Sequence, residues 1–205
     1  MSLAQRDIQD TSPQALGSEI RQLRKARGMT LTDLAEAIGK TPGFLSQIER
    51  GLAKPSLKTL QTLGEALGVG ITWFFEGADS DSENEAIKLV VRANKRRRIK
   101  YSPLADTDYL NFEDHLLSPN LDGSMVFGTT TFGPGGSYGD DLSTNVEYFL
   151  YVLEGSISLD YDGTSTVLRA GDSFQYDGSK PHRLFNHTDQ DTVTLWGQSP
   201  VRFQF

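Results

Sequence analysis

The sequence predicts an α+β protein in two parts, an all-α domain of five helices followed by an all-β domain. Three observations carry this. Apolar residues recur every three or four positions through residue 75, the period then shortens to that of strands, and a polar acidic stretch separates the two rhythms. At 205 residues, with 37% apolar and 23% charged residues, the chain is long enough for two small domains and ordinary in composition.

After a polar tail over residues 1–15, the helical domain is expected over 16–76. Ile20, Leu23 and Ala26 mark its first apolar stripe. Thr30 is placed to cap a helix over about 31–38, with Asp33 three residues on, and Leu31, Leu34, Ala35 and Ile38 form its apolar face. Thr41 caps the next helix, where Pro42 stands at a first turn that needs no N–H, and Leu45 and Ile48 follow. Ser56 opens a fourth helix through Leu57, Leu60, Leu63 and Leu67, closed by Gly68. Ile71, Trp73 and Phe74 suggest a short fifth, its two aromatic residues in the core.

Residues 77–86, GADSDSENEA, lack apolar periodicity and read as an acidic linker. Beyond it, over 87–205, short β-branched and aromatic runs alternate with turn residues. The runs are Ile87–Arg92, Met125–Phe132, Tyr148–Leu159, Thr166–Leu168 and Val193–Trp196; Asp162-Gly163 and Ala170-Gly171-Asp172 are among the turns. Many short strands with tight turns argue a sandwich or closed barrel.

Composition narrows the function. Without cysteine there is no disulfide framework, cysteine zinc site or thiol nucleophile. No apolar run approaches the roughly 20 residues of a membrane helix, and the polar N-terminus does not read as a signal peptide, so a cytoplasmic protein is expected. The net charge of −7 is unevenly placed: +2 over residues 1–75, −5 over 76–86 and −4 over 87–205. A phosphate backbone responds to the local face, so the total does not exclude DNA binding by the first segment.

Within that segment, "MTLTDLAEAIGKTPGFLSQIERGLAKPSLKTLQTLGEALGV" resembles the DNA-binding domain of lambda-repressor-like (XRE-type) regulators over about residues 16–75. The resemblance implies a recognition helix that buries Leu45 and Ile48 and turns its other side to the major groove. Gln47 is the expected base reader, since a glutamine amide bonds adenine N6 and N7 together. Ser46 lies on the same side, and Thr41, Pro42, Gly43 and Phe44 form the advancing end, where Gly43 lets the backbone approach phosphate. Thr30, Thr32, Lys40, Thr41, Arg50 and Lys54 are expected phosphate contacts. The bland alternative for Gln47 is a merely solvated side chain. Glu49 is expected to be structural, because DNA repels an acid. One such head reads a short half-site, so a dimer is expected, joined through the second domain.

The later segment "EYFLYVLEGSISL…TVLRAGDSFQYDGSKPHRLFN" resembles a cupin, a double-stranded β-helix barrel, over roughly 87–205, with Gly171-Asp172, Pro181-His182 and Asn186 in the second motif. Metal-binding members carry two histidines and a glutamate in the first motif and a histidine in the second. The equivalent positions here are Leu142, Thr144, Tyr148 and His182, so one ligand remains and no metal or other cofactor is expected. Glu147 is one residue out of step, which on a strand means the opposite face. His115 and His187 do not complete a ligand spacing, and His182 with Glu147 or the loop acids Asp140 and Asp141 would make at best a weak site. Strand parity turns Tyr148, Leu150, Val152, His182 and Leu184 inward; with Tyr138 they are the expected ligand-binding residues. Their bland alternative is plain barrel filling. Were the ligand anionic, His182 and Arg183 are the groups to suspect. The basic run Lys95–Lys100 reads as a solvated strand edge, a partner of the acidic linker or a contact to flanking phosphate.

The combination resembles bacterial regulators in which a cupin senses a small effector. It implies a sequence-specific, non-enzymatic transcription factor acting as a homodimer on double-stranded operator DNA, with no membrane partner. Two alternatives stand beside it: a metal-dependent cupin enzyme with a DNA-targeting domain, and a constitutive repressor whose barrel serves only dimerisation.

Overall fold

The structure, a computed structural model, describes residues 12–74, 89–99, 111–138 and 145–203. The chain divides into two units. One takes in Met1–Arg97 with Pro119–Asp122 and Arg202–Gln204; the other holds the remainder.

The helical unit contains α1 (Pro13–Ala26), α2 (Leu31–Ala37), α3 (Pro42–Glu49) and α4 (Leu57–Leu67), then a 3₁₀ turn at Ile71–Phe74. Each α-helix starts where a hydroxyl side chain accepts an otherwise orphaned backbone N–H: Ser12, Thr30, Thr41 and Ser56 take it from Ala15, Asp33, Phe44 and Thr59. The Ser12-Pro13 start lies ahead of residue 16, where the sequence reading began the domain. The expected fifth helix is the single 3₁₀ turn, whose Trp73 and Phe74 are buried as expected. Leu57 differs from its expected place in the buried stripe: it is the first residue of α4 and half exposed, while Leu60, Leu63 and Leu67 enter the core.

Ile20, Leu23, Leu34, Leu45, Ile48, Leu60 and Leu63 build that core. α1 and α3 approach so closely that a Cβ on Gly17 would stand 2.3 Å from the Ile48 carbonyl oxygen. The same two helices are tied by Arg24, whose Nε and Nη2 donate to the Glu49 carboxylate at 2.6 and 2.9 Å. Glu49 is therefore structural, as expected, and raises the Arg24 pKa mainly through that hydrogen bond.

The chain segments that return to this unit satisfy its buried polar groups. Gln22 donates to Asp122 at 2.8 Å and accepts from the Leu121 N–H at 3.0 Å. Arg97 grips Glu19 at 2.6 and 3.1 Å and lies 5.2 Å over the Trp73 ring. Arg98, in the other unit, pairs with Glu113 at 2.6 Å. These two members of the basic run are thus used within the protein. Lys100 and the acidic linker lie outside the described residues.

The second unit is all-β. Its six-stranded sheet has the order β1 (Arg98–Ile99), β2 (Phe112–Leu116), β3 (Val126–Phe132), β10 (Thr192–Ser199), β5 (Glu147–Glu154), β8 (Ser173–Asp177). Its four-stranded sheet runs β4 (Ser137–Tyr138), β9 (His182–Phe185), β6 (Ser156–Tyr161), β7 (Thr164–Arg169). Gly155 divides the expected run Tyr148–Leu159 into β5 and β6, and Asp162-Gly163, both at positive φ, close the tight β6–β7 hairpin. Leu89–Arg92, expected as part of a strand, carries none; Leu89 and Val90 are exposed. β2 was not foreseen.

Antiparallel register stacks the buried side chains of the six-stranded sheet in rows. Asp114, Thr130, Thr194 and Val152 form one; Leu116, Gly128, Trp196 and Leu150 the next; Val126, Gln198, Tyr148 and Tyr176 a third. Gly128 is a shape requirement, because a Cβ there would meet the Trp196 indole at 2.2 Å. Asn186, from the second motif, is fully buried and donates to the Phe132, Gly133 and Gln190 carbonyls, so its work is to hold a loop.

Candidate functional site

On the helical unit, α3 is two-faced. Leu45 and Ile48 are buried, while Thr41, Pro42, Gly43 and Gln47 are exposed. Phe44 and Ser46 lie at the boundary, half-buried. Where a Cβ would stand on Gly43 there is no atom within 4 Å, so the backbone is open to a large partner. Around this face Thr30, Thr32, Lys40, Arg50 and Lys54 are all exposed. Thr30 and Asp33 form a reciprocal cap, at 2.8 Å from the Thr30 N–H to the carboxylate and 3.1 Å from the Asp33 N–H to the hydroxyl. Those bonds, the one from the Thr30 backbone first, hold the Asp33 carboxyl below its usual range. The Gln47 carbonyl accepts from Leu52 and Ala53, at 2.8 and 3.2 Å, which folds the following loop back onto the helix end. That loop exposes Leu52 beside Lys54, a surface apolar residue the sequence reading passed over.

In the barrel, parity places the expected residues as read. Tyr148, Leu150, Val152, His182 and Leu184 are buried, Tyr138 is half-buried and pairs with Leu184, and Glu147 is exposed on the opposite face. The structure brings His182 against Tyr148 and Tyr176, with ring centroids 5.7 and 4.9 Å away, and stacks those two tyrosines at 5.1 Å. Tyr138 instead meets Phe112 edge-on at 5.8 Å. Arg183 is separated from His182 by the same parity. It lines an outer groove of about 440 Å³ with Ser158, Asp160, Phe185 and His187, and its Nε donates to Ser137 at 3.1 Å.

His182 Nδ1 lies 2.9 Å from the Lys180 carbonyl oxygen, while Nε2 is buried without a hydrogen-bond partner in the protein. Burial pushes the imidazole pKa below its usual value, against the opposing pull of the Lys180 bond. Burial likewise pushes the Tyr176 phenol well above its usual value, with Tyr148 and Tyr161 adding to the effect. Thr194 Oγ1 and Trp196 Nε1 are also buried without a protein partner, and Thr130 donates to the buried Asp114. Asp114, Thr130, Thr194, Trp196 and Tyr176 were missed from sequence. The signal for Thr194 and Trp196 was available, because both share parity along the run Val193–Trp196. Asp114 sits on the strand that was not foreseen. No three His, Asp or Glu side chains converge on a metal-sized site among the described residues. Asp140, Asp141, Leu142 and Thr144 lie outside those residues.

With this geometry in place, comparison with known proteins is direct. A helix-turn-helix family model matches residues 20–74 and a cupin domain model matches 128–197. The HTH-type transcriptional regulator PuuR of Escherichia coli K12 is 27% identical over 189 residues, spanning 92% of this chain and 97% of its own. The HTH-type transcriptional regulator SutR of the same organism is 23% identical over 184 residues, spanning 87% and 90%. A crystal structure of an HTH_3 family transcriptional regulator from Vibrio cholerae aligns over 94% of this chain and 98% of its own, at 22% identity and a TM-score of 0.43. No described helix is long and apolar enough to cross a membrane.

Proposed function

Starting from a chain that belongs to the XRE-type helix-turn-helix transcriptional regulators with a cupin domain, we propose that it is a cytoplasmic homodimer that reads operator DNA through α3 and senses a small effector in its barrel. The observation that carries the DNA half is the division of α3 into a buried stripe and an open one. Leu45 and Ile48 hold the helix to its domain, and Gln47, Gly43 and the Thr41-Pro42 end remain for the groove. Gln47 reads a base; Thr30, Thr32, Lys40, Thr41, Arg50 and Lys54 position the head on phosphate, and Phe44 and Ser46 border the contact.

One recognition helix reads a short half-site, so useful affinity comes from two heads joined through their barrels. The ligand half is supported by the unmet polar atoms of the barrel interior, beside Tyr138, Tyr148, Leu150, Val152, His182 and Leu184. The effector acts by preferring one placement of the two heads over another; tight binding without that preference changes nothing. No turnover is assigned, in keeping with relatives named as regulators.

The test is a thermal-shift screen of the full chain against metabolites, with every hit carried into an operator-binding titration. A ligand at about 100 times its Kd adds roughly 2.7 kcal/mol to the state that binds it. Hits that change DNA affinity are expected; hits that all leave it unaltered, or a screen with none, sink the sensor reading.

A further inference from the structure

We infer that the outer face of the six-stranded sheet binds the same face of a second copy of this chain, with Phe149 of each copy seated in a depression on the other. This deepens the homodimer part of the proposed function and rests on it. The register lays the face out. Phe127 on β3 and Phe149 on β5 both stand opposite Gly197 on β10, so two exposed rings flank a position without a side chain. A Cβ on Gly197 would stand 2.8 Å from a Phe127 ring carbon, so that ring leans across the glycine and floors the gap. Between it and Phe149 lies a depression of about 150 Å³, also walled by Met125, Gln175 and Ser199. That volume accommodates one benzene-sized ring.

Charge, symmetry and area select a second copy as the occupant. Among the described residues, the outer side of β3, β10 and β5 carries no charged side chain between Glu147 and Glu154. Met125, Phe127, Phe149 and Leu153 are each 38 to 51% exposed there. An uncharged centre rich in aromatic residues, with acids at its rim, has the composition of a protein interface and offers nothing to phosphate or to a charged peptide. A two-fold axis parallel to the strands, midway between β10 and β5, lays β5 of each copy over β10 of the other. Phe149 then enters the gap above Gly197 and meets the Phe127 ring, reciprocally, as a closed two-fold contact requires. The two Glu147 carboxylates share one rim of that contact, where solvent and the Gln175 amide, 2.5 Å from one oxygen, moderate their repulsion. Strands β2, β3, β10, β5 and β8, about 4.8 Å apart and about 20 Å long, present roughly 500 Å² before side-chain relief. That is close to the about 600 Å² per partner at the lower end of stable interfaces.

The experiment is sedimentation velocity of the full chain over a dilution series, beside Phe149→Glu and a control on the outer side of the four-stranded sheet, Val167→Glu. The unaltered chain is expected to dimerise. Phe149→Glu should raise the dissociation constant about thirtyfold or more, the scale of a buried anchor, and Val167→Glu should leave it unchanged. Met125 gives a readout that needs no variant and decides alone should Phe149→Glu fail to fold. It is one of three methionines, and its oxidation by dilute peroxide should slow as the chain dimerises, while that of half-buried Met29 stays constant. A dimer that survives Phe149→Glu, falls equally to Val167→Glu, or leaves Met125 oxidation unaltered overturns this inference alone, and the homodimer reading stands. A chain that stays monomeric throughout the series overturns both.

Discussion

The two units place their candidate side chains on opposite sides of their cores. The helical unit exposes its candidates and ties part-buried charges in pairs, Arg24 with Glu49 and Arg97 with Glu19. The barrel turns its candidates inward and leaves His182 Nε2, Thr194 Oγ1 and Trp196 Nε1 buried without protein partners, where the helical unit leaves Trp73 Nε1. Function and stability should therefore be separable by mutation in the first unit and entangled in the second. A surface read by DNA need not be part of what holds the domain together, whereas a side chain inside a barrel is both wall and contact.

The largest test of that contrast removes a part-buried pair. Glu49→Ala leaves the part-buried Arg24 guanidinium with the Met29 carbonyl in place of its carboxylate partner, with an expected loss of up to about 3 kcal/mol in chemical denaturation. A loss near zero would mean that the helical unit does not depend on its internal ion pair. Next is Gln47→Ala. It should weaken operator binding by about 1–3 kcal/mol at the base it contacts, while the unfolding midpoint stays put. Unchanged sequence preference would remove Gln47 from the reading face; a large fall in midpoint would erase the distinction between the units.

The smallest effect is one of pH. The His182 imidazole is neutral when folded and its pKa is depressed, so the unfolded chain takes up the proton first as pH falls. Stability is accordingly full above the unfolded value near 6.5 and declines below it. Comparing unfolding at about pH 7.5 and about pH 5.5, His182→Leu should lose part of the slope seen in the unaltered chain. Identical slopes would show that the buried imidazole is not coupled to folding.

How much of this was legible in the sequence follows the same division. Helix starts are local, and Thr30-Asp33, Thr41-Pro42 and Ser56 each announced one; their caps are formed as read. Exposure of Gln47 and burial of Leu45 followed from a period of 3.6. In the barrel, alternation put Tyr148, Leu150 and Val152 inside and Glu147 outside, because a strand leaves no third direction. The failures came where pairing partners decide. Arg183 was grouped with His182 because they are adjacent, although adjacency on a strand means separation. Asp114 faces inward only because β2 pairs with β3, and the sequence around it lacks a strong strand pattern. Leu57 carried the right residue type but stands at a helix start, where the first turn projects past the core.

The chain has two tryptophans, and the fold assigns one to each unit. Trp73 lies beneath the Arg97 guanidinium, and Trp196 is sealed against Gly128 at the centre of the barrel wall. Intrinsic fluorescence therefore arrives already partitioned. In a Trp73→Phe chain the tryptophan emission comes from the barrel alone, so its colour and intensity report the surroundings of Trp196 on the inner face of the six-stranded sheet, with no dye attached.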